Sequence, residues 1–302
     1  MIVMSDLKQI RSSKYVSHDL LEDWLLDLAN KNCKRIASAS FIDFLWSEDV
    51  VEFIFNVCRT LQLEDEIKYL ATEIFEKFLG HHVLELRRYV KNNRKMSDTL
   101  SWSSVEDRVE QQMTLRILTS IQIASKLQSH YEHLSPQQVT NFLKKSGKYF
   151  SINGLLNSEL RVMRTLGYKF HLPHPALYVN LLLGILFAND PRIDEALFYA
   201  VSKVLDMVYI NRIKVYSRLY ESITGAHFTS HADMDNEFTK IKADYMLLAT
   251  CIIAAATYIV MKEYWHNIME QLHQVTRLPR KDINIFCFVI IDVICNICNF
   301  EI

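Results

Sequence analysis

Glycine and proline are scarce in this chain of 302 residues, which contains only 6 glycines and 5 prolines. All-β sandwiches and barrels need a turn about every 8 to 12 residues, and these two residue types form many of those turns. The chain is too poor in both to build such a fold. Because 50% of its residues are hydrophobic, it can form a large helical core, in one large domain or in two of ordinary size.

The sequence also lacks the common catalytic and phosphate-binding motifs. It contains no Walker-type glycine-rich loop, no G-x-G-x-x-G, no H-E-x-x-H and no G-x-S-x-G. No pair of carboxylates at helical spacing lies on an apolar face beside a candidate base. These absences favour a binding module over an enzyme, and we expect no cofactor.

A charge excess of either sign is absent as well, since the formal net charge is −1 at pH 7. A nearly neutral chain gives no global signal for a nucleic-acid or membrane-surface partner. The uncharged run from Tyr245 to Met261 is at the short limit for a membrane span, and we interpret it as a buried core helix. We therefore expect neither direct binding of nucleic acid nor a membrane.

No cysteine or histidine pattern predicts a disulfide framework or a metal site. The cysteines are Cys33, Cys58, Cys251, Cys287, Cys295 and Cys298. Their irregular spacing and the lack of a signal peptide at the start predict a reducing compartment. Cys295 and Cys298 form a C-x-x-C whose apolar context predicts buried thiols rather than a redox pair. His227, His231 and Asp233 have no fourth ligand at a recognisable spacing, so a solvated loop without metal is favoured.

The strongest helical signal runs from Leu115 to Leu127, which is apolar almost all the way round. A helix without a polar face is buried on every side, so this segment is predicted to be the centre of a helical domain. Lys126 lies near its end, and Glu159 lies on the edge of the apolar stripe of a later helix. Neither has an oppositely charged residue at helical spacing. Because an unpaired buried charge is costly, each must pair with the other, with another helix or with a partner protein.

Capping signals and apolar spacing predict the other helices. Ser135, Pro136 and Gln138 fit a capping box, and Ser151 fits the N-cap of a helix that Gly167 ends. The apolar stripe of that helix comprises Ile152, Leu155, Leu156, Leu160 and Met163. The remaining predicted helices run from His18 to about Asn30, over 48–61, from Leu63 to a C-cap at Gly80, from Pro136 to about Lys145, and over 175–188, 191–220, 239–262, 263–275 and 279–298.

Residues 81–108 are predicted to be an insertion. The insertion contains a basic run, which consists of Arg87, Arg88, Lys91, Arg94 and Lys95, and a serine-rich stretch follows. A connection of this length inside a compact domain is often functional or disordered. It is either a docking or nucleic-acid patch with Tyr89 interleaved, or a solvated helix extension and a loop. The second interpretation is favoured, because no stacking platform accompanies the cations.

The segment from His171 to Pro175 is predicted to join two domains, because its two prolines cannot continue a helix. Residues 1–33 then form a mobile tail and a short helix, residues 34–172 a first domain with the 81–108 insertion, and residues 173–302 a second domain. Each domain contains about five helices. The predicted fold class is all-α, with two five-helix bundles that each surround a central apolar helix.

Several segments of this arrangement resemble the tandem cyclin fold. Residues 123–126, Ile-Ala-Ser-Lys, resemble the Leu-Ala-Ser-Lys segment of the cyclin box, and residues 61–79 resemble the first two cyclin helices. Residues 158–167 resemble a later helix of the box, and residues 171–175 resemble the proline segment between two cyclin folds. Within the family, stretches over most of the chain (50–55, 113–118, 123–127, 157–173 and 244–259) are similar to cyclin N-terminal domain-containing proteins of the meiotic crossover type.

This resemblance implies a regulatory protein in the nucleus, on meiotic chromosomes, that promotes the maturation of crossovers. The implied partners are a cyclin-dependent kinase and meiotic recombination factors. Cyclins contact their kinase with a lysine and a glutamate, and the matching residues here are Lys126 and Glu159. The alternative is a structural pair that ties their two helices together.

The chain departs from the cyclin pattern in places that bear on its partners. Residues 46–50, Trp-Ser-Glu-Asp-Val, align with the substrate-docking motif Met-Arg-Ala-Ile-Leu, so the arginine is missing and the surface is acidic. Gln128-Ser129 replaces the usual acidic pair after the lysine. One alternative function is a kinase-independent scaffold that recruits recombination factors. Another is a nucleic-acid-binding cyclin fold of the transcription-factor-B kind, against which the net charge argues.

Overall fold

A computed structural model describes residues 18–39, 47–93, 102–128, 133–170, 172–190, 192–228 and 236–298. Within these ranges the chain forms 13 α-helices and one short 3-10 helix, with no β-strand, which confirms the predicted all-α class. The first helices are α1 His18–Ala37, α2 Glu48–Thr60, α3 Asp65–Asn93, α4 Trp102–Gln128, α5 Pro136–Lys145 and α6 Ile152–Thr165. The later helices are α7 Pro175–Asn189, α8 Glu195–Ile210, α9 Arg212–Thr224, α10 Asn236–Ala243, α11 Tyr245–Val260, α12 Trp265–Thr276 and α13 Arg280–Cys298.

The chain divides into two compact units. One unit contains the described residues of 50–172, which are nearly all of α2 and all of α3 to α6. The other contains α1, the first two residues of α2, and the described residues from Pro173 onward. The second unit is thus built from both ends of the described chain, and the sequence did not indicate that α1 belongs to it.

Helix α4 forms the centre of the 50–172 unit, as its apolar sequence predicts. It packs against α3, α5 and α6. Leu118, Ile121 and Ala124 are completely buried, and burial of one large aliphatic side chain contributes about 1.5–3 kcal/mol. The buried hydroxyls of Thr119 and Ser120 donate to carbonyls one turn earlier, so these polar side chains do not oppose burial of the helix.

The predicted caps of α5 and α6 are confirmed. Ser135 Oγ accepts from the backbone N–H of Gln138, and the Gln138 side chain accepts from the backbone N–H of Ser135 at 2.8 Å. Ser151 Oγ accepts a backbone hydrogen bond from the first turn of α6. Gly147 and Gly167 follow the two helices with φ of +74° and +59°, a conformation that favours glycine.

Two helices in the first third of the chain are longer than predicted. Helix α1 continues past Asn30 to Ala37, and α3 continues through Gly80 to Asn93, so the predicted C-cap at Gly80 is wrong. Gly80 is buried inside α3, where an isolated glycine costs only about 1 kcal/mol that packing can offset. Residues 81–93 and 102–108 of the predicted insertion are therefore helical, while residues 94–101 lie outside the described ranges, as do residues 1–17.

Helix α11 is the centre of the second unit and packs against α1, α7, α8, α12 and α13. Two helices predicted as continuous are each broken in two. The predicted 191–220 helix starts only at Glu195, after the N-cap Asp194, and is interrupted at Asn211. The predicted 239–262 helix is interrupted at Asp244, whose carboxylate accepts from the backbone N–H of Leu247 and so starts α11. The described part of 173–302 thus contains seven α-helices rather than five.

Helix α1 is attached to the second unit by polar contacts at the break between α10 and α11. The Asn32 amide donates to Asp244 Oδ1 at 2.8 Å, and Asn32 Oδ1 accepts from the backbone N–H of Tyr245 at 2.9 Å. The Arg35 guanidinium lies 3.8 Å from the centre of the Tyr245 ring and donates to the Tyr245 hydroxyl. Because Asn32 is buried, these bonds satisfy backbone groups that the break would otherwise leave unpaired.

Three other predictions concern the thiols, a metal site and a membrane span. All six cysteines are free, and Cys298 is exposed at the end of α13, so its predicted burial is wrong. No three potential ligands are grouped for a metal within the described ranges, His227 pairs with Glu221, and His231 and Asp233 lie outside these ranges. In the same ranges no single helix is long and apolar enough to cross a membrane, although α10 and α11, joined at a 63° bend, pass that test together.

Candidate functional site

Lys126 and Glu159 lie opposite each other on two helices of the 50–172 unit. Lys126 belongs to the last turn of α4, and Glu159 lies in the middle of α6, which packs against α4. The Nζ atom of Lys126 is 2.6 Å from Oε1 of Glu159. The sequence left open whether each charge pairs with the other, with another helix or with a partner protein, and the structure shows the two charges bound to each other. The pair is at the surface, because the Lys126 side chain is 35% exposed and that of Glu159 is 12% exposed.

The pair retains bonding capacity. An ammonium group has three N–H donors, and a carboxylate has two acceptor oxygens. Within the described residues, the side chains of Lys126 and Glu159 form a hydrogen bond only with each other. Two donors of Lys126 and Oε2 of Glu159 thus have no partner among the described residues and can bond to water or to a partner protein. As a surface ion pair it contributes only about 0–1 kcal/mol to folding, so stability gives a weak reason for its presence.

The predicted apolar stripe of α6 is buried on one side and exposed on the other. Leu155 of the stripe is completely buried, as is Val162 beside the stripe, whereas three other residues of the stripe are 41–42% exposed. These three, Ile152, Leu156 and Leu160, are spaced by four residues and form one continuous surface, which we call the α6 ridge. The helices packed against α6 cover only part of the apolar stripe, so apolar surface lies directly beside Glu159.

A polar network that the sequence did not reveal holds α6 against α4. Arg116 donates to Ser158 Oγ at 2.8 Å and to the Ser158 carbonyl at 3.3 Å. Ser158 Oγ also lies 2.7 Å from Thr119 Oγ1. Since Ser158 immediately precedes Glu159, this network fixes the position of the glutamate relative to α4. A serine on a helix carries no local signal for such a role, because its partners are distant in the chain.

A second polar contact joins α6 to α3. Arg161 donates to Glu85 Oε2 at 2.5 Å and lies 3.2 Å from His82 Nδ1. Burial, together with the positive charges of Arg161 and Arg116, lowers the pKa of His82 to about 4. His82 is therefore neutral at physiological pH, and its Nδ1 can accept the hydrogen bond from Arg161. The spacing of these residues in the sequence did not point to this cluster either.

The predicted basic patch lies on α3, away from the ion pair. Arg87, Arg88 and Lys91 are exposed, while Arg94 and Lys95 lie outside the described residues. The Arg87 guanidinium lies 5.2 Å from the centre of the Trp102 ring, at the start of α4. At about 1.5 Å of rise per residue, Trp102 and Lys126 are about 36 Å apart along α4. The two sets of predicted site residues are thus at opposite ends of one unit.

Comparison with known proteins shows which family this chain is similar to. Residues 47–171 match the model of the family "Cyclin, N-terminal domain". The chain is 30% identical to cyclin N-terminal domain-containing protein 1 of Mus musculus over 283 residues, which are 91% of this chain and 84% of that protein. It is 30% identical to the protein of the same name of Homo sapiens over 285 residues, with the same coverage of both chains.

The all-helical fold and the match to the cyclin domain indicate a cyclin-fold regulatory protein. Proteins with this domain act through protein partners such as kinases. More specifically, the chain belongs to the family of cyclin N-terminal domain-containing proteins.

Proposed function

We propose that this protein binds a cyclin-dependent kinase through Lys126, Glu159 and the α6 ridge, and that it promotes crossover maturation in meiotic nuclei. The observation that carries the kinase proposal is the Lys126–Glu159 pair. It is formed at 2.6 Å, it has donors and an acceptor that no described residue binds, and it adjoins exposed apolar side chains. An apolar surface with a few placed charges at its edge is typical of sites that bind a partner helix.

The physical basis of such a contact is charge-assisted hydrogen bonding next to apolar burial. A partner that covers the α6 ridge removes water from Lys126 and Glu159 and so strengthens their bonds to its backbone or side chains. The pair is already formed in the free protein, so little conformational entropy is lost when the partner docks. Removing charges that become buried in an interface costs about 2–5 kcal/mol, which corresponds to an affinity loss of about 30-fold or more.

The test is capture of kinases from a purified panel of cyclin-dependent kinases by the full chain and by matched variants. We expect the wild type to capture one kinase or a few, and the double variant Lys126→Ala with Glu159→Ala to capture none. The matched control is Glu85→Gln with Arg161→Gln, which removes another ion pair of α6 that lies outside the proposed contact. Thermal melting of each variant shows whether the fold survives.

A charge exchange separates kinase contact from a purely structural role. In Lys126→Glu with Glu159→Lys the ion pair between α4 and α6 can form again, but each charge faces the partner with the wrong sign. The proposal predicts that stability returns and that kinase capture stays lost. Capture restored by the exchanged pair, or no capture of any kinase by a folded wild type, would overturn the proposal.

The meiotic part of the proposal is supported by the resemblance of segments throughout the chain to proteins of the meiotic crossover type. It predicts that the tagged protein enters the nucleus and forms foci on chromosomes late in meiotic prophase. The expected number of foci matches the number of crossovers. A uniform distribution in meiotic cells with normal crossovers after deletion would contradict this part and leave kinase binding standing.

A second candidate function is a scaffold that recruits recombination factors without a kinase. The observation that favours it is that residues 46–50, which align with the substrate-docking motif of cyclins, lack the arginine of that motif. The arginine of that motif aligns with Ser47, so the expected basic group is missing. The next residue, Glu48, lies 3.2 Å from Lys214 Nζ, so an acidic group of the segment is held in an ion pair. Purification from meiotic cells that recovers recombination factors and no kinase would support the scaffold.

A further inference from the structure

Helices α3 and α4 form a long antiparallel hairpin. They contain 29 and 27 residues, so each is about 40 Å long, more than twice the average length of a helix. Arg116 lies over Phe78, and at the far end Trp102 lies beside Arg87. The chain positions on α4 fall as those on α3 rise, which establishes the antiparallel direction. We call residues 85–93 of α3 and 102–110 of α4 the hairpin end.

Three cations on the α3 side of the hairpin end have no acidic partner among the described residues. Arg87, Arg88 and Lys91 lie within about one turn of α3, and in the parts of the chain that are described no carboxylate is within ion-pair distance of them. The carboxylate nearest in sequence, Glu85, is held by Arg161 at 2.5 Å. On the facing helix, Glu106 accepts a hydrogen bond from the indole N–H of Trp102. Two of the acids near the cations, Glu85 and Glu106, are thus bonded to other groups.

The folding of α3 does not account for this arrangement. A cation in the last turn of a helix is stabilised by the helix dipole, which explains Lys91 but not Arg87 and Arg88, a turn earlier. Like charges one turn apart repel each other, so the cluster opposes helix formation. The Arg87 side chain is ordered against the Trp102 ring, which leaves its N–H groups free to bind a carboxylate in two-point fashion.

We propose that the hairpin end is a docking surface for an acidic segment of a partner protein, bound by Arg87, Arg88 and Lys91. Two guanidinium groups and one ammonium group within a single turn match carboxylates at adjacent or one-turn spacing in a peptide. The exposed ring of Tyr89 adds an apolar contact beside them. Because Arg87 is already ordered by Trp102, its binding to a carboxylate loses less side-chain entropy than that of a free arginine.

An acidic peptide fits this surface better than nucleic acid does. The cations occupy one turn of one helix, whereas a nucleic-acid strand follows an extended basic groove with stacking side chains. The facing helix end exposes three acidic residues, Glu106, Asp107 and Glu110, against one basic residue, Arg108, so its net negative charge would repel a long polyanion. A short acidic segment can bind α3 without passing over these carboxylates.

The experiment measures binding of fluorescein-labelled octaglutamate to the full chain by fluorescence anisotropy, at low and at physiological salt. The test variant is Arg87→Gln with Arg88→Gln and Lys91→Gln. The matched control is Lys144→Gln with Lys145→Gln and Arg164→Gln, which removes the same charge from exposed positions of the same unit. A labelled single-stranded oligonucleotide of equal charge is the competing probe. Thermal melting checks that the variants are folded.

We expect the test variant to bind octaglutamate at least about tenfold more weakly than the wild type, and the control variant to bind within about twofold. Trp102→Leu should weaken binding less than the test variant, because it removes only the ordering of Arg87. Equal losses in the test and control variants, or no binding by the wild type, would overturn the proposal. If the wild type bound the oligonucleotide more tightly than octaglutamate, and the test variant lost that binding, the ligand of this surface would be nucleic acid and the proposal of an acidic protein segment would be wrong. Kinase capture by the test variant should be unchanged, which separates this surface from the proposed kinase site.

Discussion

Single residues in the core of the 50–172 unit decide its stability, and Gln122 is an unusual one. Its side chain is completely buried on α4, and within the described residues neither Nε2 nor Oε1 has a hydrogen-bond partner. A buried polar group without a partner keeps its full desolvation cost. We expect Gln122→Leu to raise the free energy of unfolding by about 1–3 kcal/mol in chemical denaturation.

The matched control for Gln122 is Thr119→Val on the same helix. Thr119 Oγ1 donates to the Leu115 carbonyl and lies beside Ser158 Oγ, so its hydroxyl is paired. This variant should lower stability, because it leaves Ser158 with one partner fewer. If Gln122→Leu also lowered stability, the Gln122 amide would have to be bonded in solution.

His82 should make the stability of the protein depend on pH. Its pKa is lowered to about 4 in the folded protein, by burial first and by Arg161 and Arg116 second, against about 6.5 when unfolded. Between these values the unfolded chain binds a proton that the folded chain does not, so stability falls as the pH drops from about 6.5 to about 4. Above pH 7 the residue makes no such contribution.

The measurement compares thermal unfolding of the wild type and of His82→Gln from pH 7.5 to pH 4.5. The stability advantage of the wild type should shrink on acidification, while His81→Gln, at the adjacent exposed position, should follow the wild-type profile. Parallel curves for the wild type and His82→Gln would show that His82 is protonated as readily in the folded protein as in the unfolded one.

At the scale of elements, the ends of helices were predictable where a local motif sets them. The Ser135 cap uses atoms within four residues, so the sequence contains all of its information. The break at Asp244 is different, because the backbone groups it frees are bound by Asn32 from a distant helix. The prediction of a C-cap at Gly80 was wrong for the same reason, because packing of α3 against α4 overrides the weak helix propensity of one glycine.

The role of Asn32 gives the prediction that belongs to this scale. Asn32→Leu removes the acceptor for the backbone N–H of Tyr245 and the donor to Asp244, and both of those groups are largely buried. We expect it to destabilise the protein by about 1–3 kcal/mol and to increase hydrogen exchange at the start of α11. The control Asn30→Ala changes an exposed position of the same helix and should have little effect. Unchanged exchange at residues 245–247 in Asn32→Leu would contradict this role of α1.

For the whole molecule, the sequence predicted the all-α fold class and the two central helices, α4 and α11. The central helices could be recognised because a helix that is buried on all sides has no polar face. It also predicted that Lys126 and Glu159 need partners. It did not predict the contact of Arg116 with Ser158 that sets their geometry, since neither residue has a distinctive neighbour in the chain. The prolines at 171–175 predicted two domains of about five helices each, and the resemblance to cyclins then identified this arrangement as a tandem cyclin fold.

The separation of the two proposed surfaces leads to a prediction about the assembled complex. Trp102 and Lys126 lie about 36 Å apart along α4, so a kinase on the α6 ridge and an acidic segment at the hairpin end need not compete. Sites this far apart without shared partners act independently, and their binding free energies should add within about 0.5 kcal/mol. Saturating octaglutamate should therefore leave the affinity for the captured kinase unchanged in biolayer interferometry. Displacement of the kinase by the peptide would mean that the kinase itself covers the hairpin end, and the cations there would then belong to one larger kinase interface.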